Sequence, residues 1–229
     1  MEVYGVNHNP PECFVAQMAF TCLNGFLLST CGRVFSWGAN NAALGRAVDH
    51  TDLEDEDNIV KHSSRKQESR KLQQAIDVGE VDFGINVTIV KLAAGKHHVL
   101  ALDTKGYVYT WGKNDKGQLG HQGHRVGGHH GPRGDDDGVC EIPQKIPTLT
   151  DIVQIYTGEY MSFAVDSLGE IWAWGLNKNN CLLTNQPEMG LVNTIVEQPM
   201  KVNLPDYFIK SKKTNVVQNT NLGFDMYQS

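Results

Sequence analysis

Histidine and cysteine residues, whose side chains bind transition metals, are concentrated in one stretch of the sequence. This stretch covers residues 121–140 and reads HQGHRVGGHHGPRGDDDGVC. Its candidate ligands are His121, His124, His129, His130 and Cys140. Their spacing matches no closed zinc site, in which ligand pairs are separated by short, fixed intervals. Six glycines also lower the preorganisation that a metal site needs. We therefore predict a flexible loop between two structural units, with no metal ion.

A second candidate for chemistry is the glycine-spaced turn in residues 106–120, GYVYTWGKNDKGQLG. Backbone N–H groups of glycine-rich loops bind phosphate when a helix begins directly after the loop. A Walker A loop additionally contains a Lys-Ser or Lys-Thr pair. Neither such a pair nor a helical pattern follows Gly120. The stretch is therefore interpreted as one copy of a structural repeat, and no cofactor is predicted.

Basic side chains that could bind a charged partner occur in an insertion over residues 46–80. The insertion contains an acidic run at 49–58 and a basic run at 61–72. The candidate partner-binding residues are Lys61, Arg65, Lys66, Arg70 and Lys71. Nucleic acid is disfavoured as the partner, because no aromatic residue is interleaved to stack on bases and the net charge is −6. Two interpretations remain open: a solvated charged loop, and a docking arm for a charged partner.

Catalytic motifs are missing from the sequence. It contains no Gly-x-Ser-x-Gly and no His-Glu-x-x-His, so we predict that the chain is not an enzyme. No apolar run reaches the roughly 18 residues of a membrane-spanning helix, and residues 1–14 lack the features of a secretory signal. The five cysteines form no Cys-x-x-Cys pair, and an odd number without a signal indicates reduced thiols. We therefore predict a cytoplasmic protein.

The tryptophan turn occurs three times in the chain. Segments 32–45, 106–120 and 169–183 align on their Trp-Gly pairs, and a glycine lies five positions before each tryptophan. The residues upstream of these glycines align without gaps as well. The positions that we assign to the structural repeat are Trp37, Gly38, Gly95, His98, Gly106, Trp111, Gly112, Gly158, Gly169, Trp174 and Gly175.

Within each copy, apolar residues alternate with a period of two, which is typical of β-strands. Paired strands are separated by the turns DTKG (103–106) and DSLG (166–169), in which Asp bonds its own backbone and Gly supplies a positive φ. Each copy thus predicts three or four short antiparallel strands. One such sheet cannot bury both of its faces, so the copies are expected to stack or to form a ring. The predicted fold class is all-β.

Residues 89–120, IVKLAAGKHHVLALDTKGYVYTWGKNDKGQLG, resemble the repeat of the regulator of chromosome condensation family. The usual pattern of that repeat is a strand and Gly, then His, Ala-Leu, Val-Tyr-x-Trp-Gly-x-Asn and Gly-Gln-Leu-Gly. The resemblance implies β-propeller blades, usually seven in this family and here about three, at 13–45, 89–120 and 152–183. It places the repeats within residues 1–205 and leaves 206–229 as a polar tail.

The sequence departs from the family pattern at several positions. Thr21 replaces the first glycine, Asn24 and Met161 replace the histidine, and the third copy ends NNCLLT instead of Gly-Gln-Leu-Gly. An incomplete ring leaves its first and last sheets half covered, and such surfaces associate. We therefore predict that the chain does not work as an isolated monomer. Its partner stays open: another protein, a second copy, or the remainder of a longer propeller.

The resemblance implies one of two functions. The first is a β-propeller scaffold for protein–protein interaction within a larger assembly, such as a ubiquitin ligase or a cytoskeletal or ciliary complex. The second is a guanine-nucleotide exchange factor for a small nuclear GTPase, which would place the protein in the nucleus. Exchange displaces a nucleotide from the partner and needs no bond-making residue, so the missing catalytic motifs exclude neither function.

Overall fold

The computed structural model of the protein describes residues 13–39, 41–46, 78–121, 138–183 and 194–204. These residues form three antiparallel sheets of four strands each, which we call blades 1, 2 and 3. Blade 1 contains β1 (Val15–Phe20), β2 (Asn24–Ser29), β3 (Val34–Gly38) and β4 (Gly79–Val81). Blade 2 contains β5 (Ile89–Ala94), β6 (His98–Asp103), β7 (Val108–Lys113) and β8 (Val139–Lys145). Blade 3 contains β9 (Ile152–Thr157), β10 (Met161–Asp166), β11 (Ile171–Asn177) and β12 (Thr194–Lys201). The predicted all-β fold of antiparallel blades is confirmed.

The turn between the second and third strands of a blade is built by an aspartate and a glycine. In blade 2, Asp103 Oδ1 accepts hydrogen bonds from the backbone N–H groups of Lys105 (2.9 Å) and Tyr107 (2.8 Å). Gly106 completes the turn with a φ of 80°. In blade 3, Asp166 Oδ1 likewise accepts hydrogen bonds from the backbone N–H groups of Leu168 and Glu170. The local sequence therefore determines where each hairpin reverses.

The hydrophobic core lies between the blades. Along β6, Val99 and Ala101 belong to a cluster shared with blade 1, whereas Leu100 and Leu102 belong to a cluster shared with blade 3. Successive side chains of a strand point to opposite faces, so a strand with a neighbouring blade on each side is buried at every position. Every residue of β6 is buried for this reason. The middle blade is thus held by two separate cores.

A disulfide joins Cys13 to Cys31, with the two Cα atoms 5.7 Å apart. The β1–β2 hairpin brings these residues together, although they lie eighteen positions apart in the sequence. The prediction that all five cysteines are reduced is therefore wrong for this pair. An odd number of cysteines does not reveal which of them a hairpin places side by side. Cys22, Cys140 and Cys181 are free thiols.

Helical structure in the described ranges includes two 3₁₀ turns, Ala42–Leu44 and Lys178–Asn180. Within those ranges, no helix has the length and hydropathy needed to cross a bilayer.

Candidate functional site

Each later blade inserts its tryptophan into the loop of the blade before it. Trp111 of blade 2 donates its indole Nε1–H to the Ala43 carbonyl of blade 1 at 2.9 Å. Trp174 of blade 3 donates to the Gln118 carbonyl of blade 2 at the same distance. Both side chains are fully buried. We call these two contacts the blade joints. Each joint satisfies the one polar group of a buried indole and so fixes one blade against the next.

A glycine ends each loop that receives a tryptophan. Gly45 and Gly120 have φ values of 76° and 73°, in the left-handed region that glycine occupies without steric cost. A Cβ atom on Gly45 would lie 2.5 Å from Nε1 of Trp111, and one on Gly120 would lie 2.8 Å from Nε1 of Trp174. Glycine therefore both permits the backbone conformation and leaves the space that the indole fills.

The joint between blades 2 and 3 also contains a buried histidine. His98 Nε2 lies 2.9 Å from Ser162 Oγ, and Ser162 donates its hydroxyl hydrogen to the Gln118 carbonyl at 2.8 Å. Because the hydroxyl has a single hydrogen, Nε2–H of His98 must be the donor to Oγ. His98 is therefore the neutral tautomer with its proton on Nε2. The Gln118 carbonyl accepts from both Ser162 and Trp174.

Burial lowers the pKa of His98 to about 4, because a charged imidazolium would lose its hydration, and the neighbouring charge of His97 adds to the effect. We expect the free energy of unfolding to fall when the protein is acidified from pH 7 to pH 5. Between pH 6.5 and pH 4, the unfolded chain binds a proton at this residue and the folded chain does not. The stabilisation is therefore complete above pH 6.5 and is lost as the pH falls, by about 2 kcal/mol at pH 5. Urea titrations at the two pH values measure the loss.

A His98→Gln variant is the control for this pH dependence. Glutamine does not titrate and keeps an N–H donor for Ser162. Carboxylates, whose ordinary pKa values are near 4, change little in this window. The variant should therefore lose most of the difference between pH 7 and pH 5. An unchanged difference would show that another group is responsible.

The remaining repeat positions lie at strand ends and turns. Gly95 and Gly158 follow β5 and β9, and Gly106 and Gly169 lie in the turns after β6 and β10. Trp37 lies in the third strand of blade 1, and the glycine after each tryptophan lies in the third strand of its own blade. These glycines are Gly38, Gly112 and Gly175. Unlike Trp111 and Trp174, Trp37 is only half-buried, and it packs edge-on against Phe20.

The basic residues predicted to bind a partner lie outside the described residues. These are Lys61, Arg65, Lys66, Arg70 and Lys71. The loop histidines His124, His129 and His130 are outside them as well. Within the described part of the chain, no three His, Cys, Asp or Glu side chains come close enough together to hold a metal ion.

Three turns form a continuous rim across the blades. They cover residues 21–23, 95–97 and 158–160 and connect the first and second strands of each blade. The backbone N–H of Cys22 donates to the Lys96 carbonyl, and that of Lys96 donates to the Glu159 carbonyl, both at 3.1 Å. We call this side of the molecule the loop face. Its backbone hydrogen bonds give the three turns a fixed relative position.

The side chains of the loop face are mixed in charge and include an aromatic ring. Cys22 Sγ lies 3.2 Å from His97 Nδ1. Lys96 pairs with Glu159 and places its Nζ 5.2 Å from the centre of the Tyr160 ring. The hydrogen bond between them raises the pKa of Lys96 and lowers the pKa of Glu159, so both groups are charged at neutral pH.

Sequence reasoning missed the loop face. Cys22, Lys96 and Glu159 each lie fifteen positions before the tryptophan of their copy. That shared position was available as a signal. The residue types differ so much that only the backbone geometry shows their common role.

Long connections are attached to the same side. β3 ends at Gly38, which pairs with Asn24 beside the first turn, and the chain returns at β4. The equivalent connections of the other blades leave beside the second and third turns. The fourth strand of each blade is antiparallel to the third, so each of these connections leaves toward the loop face and returns from it. The opposite side carries the short turns between the second and third strands, and the chain passes there from blade 1 to blade 2 at 82–88 and from blade 2 to blade 3 at 146–151.

Comparison with known proteins defines the class. Models of the regulator of chromosome condensation (RCC1) repeat match residues 105–165 and 89–118. Protein pim1 of Schizosaccharomyces pombe is 38% identical over 92 residues, which cover 39% of this chain and 15% of pim1. The probable E3 ubiquitin-protein ligase HERC6 of Homo sapiens is 32% identical over 123 residues, covering 52% of this chain and 11% of HERC6. The chain thus spans a small part of the length of these relatives.

A solved structure gives the same architecture. Prp20p from Saccharomyces cerevisiae superposes with a TM-score of 0.59 at 21% sequence identity, over 84% of this chain and 39% of that one. The chain is therefore an arc of β-propeller blades. It contains RCC1 repeats, which the family models match between residues 89 and 165.

Proposed function

We propose that the chain is a non-enzymatic scaffold that binds a protein partner on its loop face, within a larger assembly. The observation that carries this proposal is the rim of three turns, which backbone hydrogen bonds between Cys22, Lys96 and Glu159 hold in register. A rigid frame that presents loops on one side is the usual arrangement for recognition. The third strand of each blade ends beside these turns, so the connection to its fourth strand leaves from the same side.

The chemistry of the loop face favours protein over nucleic acid. Lys96 and Glu159 neutralise each other, so the rim offers no continuous positive field for phosphates. Tyr160 supplies an amphipathic ring of the type that is enriched in protein interfaces. HERC6, which matches part of this chain, is itself named a probable ubiquitin-protein ligase, and the match covers a small fraction of it. This supports a role for such repeats as one part of a larger protein machine.

A photo-reactive amino acid in place of Tyr160 tests the proposal. Benzoylphenylalanine at this position on the loop face should give cross-links to a protein partner in cells. The matched control carries it at Leu168, which is 77% exposed in the turn on the opposite side. We expect at least a several-fold higher yield of adducts at position 160, identified by mass spectrometry. Equal yields at both positions would refute the loop face as the binding surface.

The second candidate function is guanine-nucleotide exchange on a small nuclear GTPase. It is favoured by the fold shared with Prp20p, whose structure is described together with its binding to Gsp1p and histones. Release of a fluorescent nucleotide from Gsp1p separates the two functions. A scaffold leaves the release rate unchanged, whereas an exchange factor raises it by orders of magnitude at catalytic concentrations. The first function predicts cytoplasmic protein and the second predicts nuclear protein.

A further inference from the structure

A cysteine and a histidine from neighbouring blades meet on the loop face. Cys22 lies in the turn between the first two strands of blade 1, and His97 lies in the equivalent turn of blade 2, 75 positions further along the chain. Cys22 Sγ is 3.2 Å from His97 Nδ1 and 3.9 Å from Nε2, so Nδ1 faces the sulfur. Cys22 is exposed and His97 is half-buried. The two side chains form an accessible pair of a thiol and an imidazole.

Backbone hydrogen bonds hold both members of this pair in place. The N–H of Cys22 donates to the Lys96 carbonyl at 3.1 Å, which joins the turn of blade 1 to the turn of blade 2. The carbonyl of His97 accepts from the N–H of Lys113 at 2.8 Å. The separation of the sulfur from the ring is therefore set by the backbones of two blades and by two short side chains.

The pair has the arrangement of a nucleophile and its base. A ring nitrogen at hydrogen-bond distance from a thiol takes up the thiol proton when the sulfur attacks an electrophile. Nδ1 of His97 is the acceptor for the S–H of Cys22 when the ring carries its own proton on Nε2. The thiolate is the reactive form of cysteine, and a neighbouring imidazolium stabilises it. The geometry therefore favours reaction at this sulfur.

The other four cysteines, which also lie in the described ranges, have different surroundings. Cys13 and Cys31 are joined in the disulfide. Cys140 is buried, and burial raises the pKa of its thiol. Cys181 is exposed, as Cys22 is, but its thiol is directed at a methionine sulfur 3.8 Å away. Cys181 is therefore a comparison within the same chain that shares the exposure of Cys22 and lacks its histidine.

We propose that Cys22 is a site of reversible modification by small disulfides such as glutathione disulfide, with His97 as its base. Cys22 Sγ attacks one sulfur of the disulfide, a new S–S bond forms, and the other sulfur leaves as a thiolate. His97 takes the proton from Cys22 and gives it to the leaving thiolate, so the products are a mixed disulfide and one free thiol. The Cys22 sulfur is oxidised and the leaving sulfur is reduced, and exchange with a free thiol reverses the reaction.

The surroundings of Cys22 leave room for the added group. Leu23, the next residue of the turn, is exposed as well, so a mixed disulfide at Cys22 displaces no core side chain. The modified sulfur lies on the loop face, where we place the partner. Its reactivity does not rest on that proposed function, because no partner takes part in the exchange.

Rates of mixed-disulfide formation in the full chain test the proposal. The protein is incubated with excess glutathione disulfide at neutral pH without reductant and is quenched with acid at intervals, and tandem mass spectrometry locates the adducts. We expect Cys22 to react at least about tenfold faster than Cys181. Cys140 should stay unmodified. The Cys22→Ser variant should lose the fast adduct, which confirms its position.

His97→Gln removes the base and keeps a polar side chain on the rim. It should lower the rate at Cys22 about tenfold or more and leave the rate at Cys181 unchanged. Lys96→Gln is the matched control, because it removes a neighbouring charge and keeps the imidazole. It should change the rate at Cys22 less than about twofold, since exposed charges interact weakly.

Far-ultraviolet dichroism checks that each variant is folded. The proposal is overturned if Cys22 and Cys181 react equally fast, or if folded His97→Gln keeps the fast reaction. It is also overturned if Lys96→Gln slows the reaction as much as His97→Gln does, because the acceleration would then come from local charge and not from the imidazole.

Discussion

Replacing Trp111 with alanine lowers the free energy of unfolding by about 3–5 kcal/mol, the usual range for removing a large buried aromatic side chain. Its indole has no exposed surface and meets the rings of Phe26 and Phe83 edge-on, with centroids 5.9 and 5.6 Å away. The substitution also leaves the Ala43 carbonyl without its donor inside the joint. Because the side chain connects two blades, the loss should affect the whole arc. A urea titration followed by far-ultraviolet dichroism measures the change.

Trp37→Ala is the matched control for this prediction, since the two tryptophans occupy the same position of the repeat. Trp37 is half-buried and makes no joint with a described blade, so its loss should cost about 1 kcal/mol. The comparison keeps the residue type and the strand position constant and changes only the neighbouring blade. If both substitutions shift the urea midpoint equally, the stability of the arc does not come from the blade joints.

Much of the fold could be predicted from the sequence, because it depends on local patterns. Alternation with a period of two determines the strands, and Asp103 with Gly106 determines a reversal through bonds within four residues. The pattern occurs three times in the chain. The degenerate copy in blade 1 is therefore recognised by its alignment with the nearly complete copy in blade 2. The RCC1 repeats of the chain and its all-β class follow from these features.

The parts that could not be predicted depend on contacts between distant residues. The Cys13–Cys31 disulfide exists because a hairpin sets its two strands side by side. The rim of the loop face is made by backbone atoms, which carry no residue-specific signal. The third copy shows the same limit. Its ending NNCLLT lacks the Gly-Gln-Leu-Gly of the family pattern, yet Asn177 Oδ1 accepts from the N–H of Leu182 as Asn114 Oδ1 accepts from that of Leu119.

The glycine that follows each tryptophan is required for steric reasons, so its replacement should cause a second large loss of stability. Gly112→Ala should lower the free energy of unfolding by about 2–5 kcal/mol. Gly112 has a φ of 105°, where a residue with a Cβ is strained. The added Cβ would also meet backbone atoms of the preceding strand, the carbonyl oxygen of His97 and the Cα of His98. Backbone atoms of a paired strand cannot move aside without opening the β6–β7 hairpin, so the collision adds to the strain.

Gly84→Ala separates the two contributions. Gly84 has a comparable φ of 88°, but nothing lies within 4 Å of the position its Cβ would take. This variant should therefore lose only the conformational part, about 1–2 kcal/mol. Urea titrations measure the loss of unfolding free energy in each variant, provided that both unfold with the same dependence on urea concentration. The difference between the two losses is the contribution of the collision. Equal losses would mean that the hairpin accommodates the extra methyl group, and the glycine after each tryptophan would then be required for its backbone conformation alone.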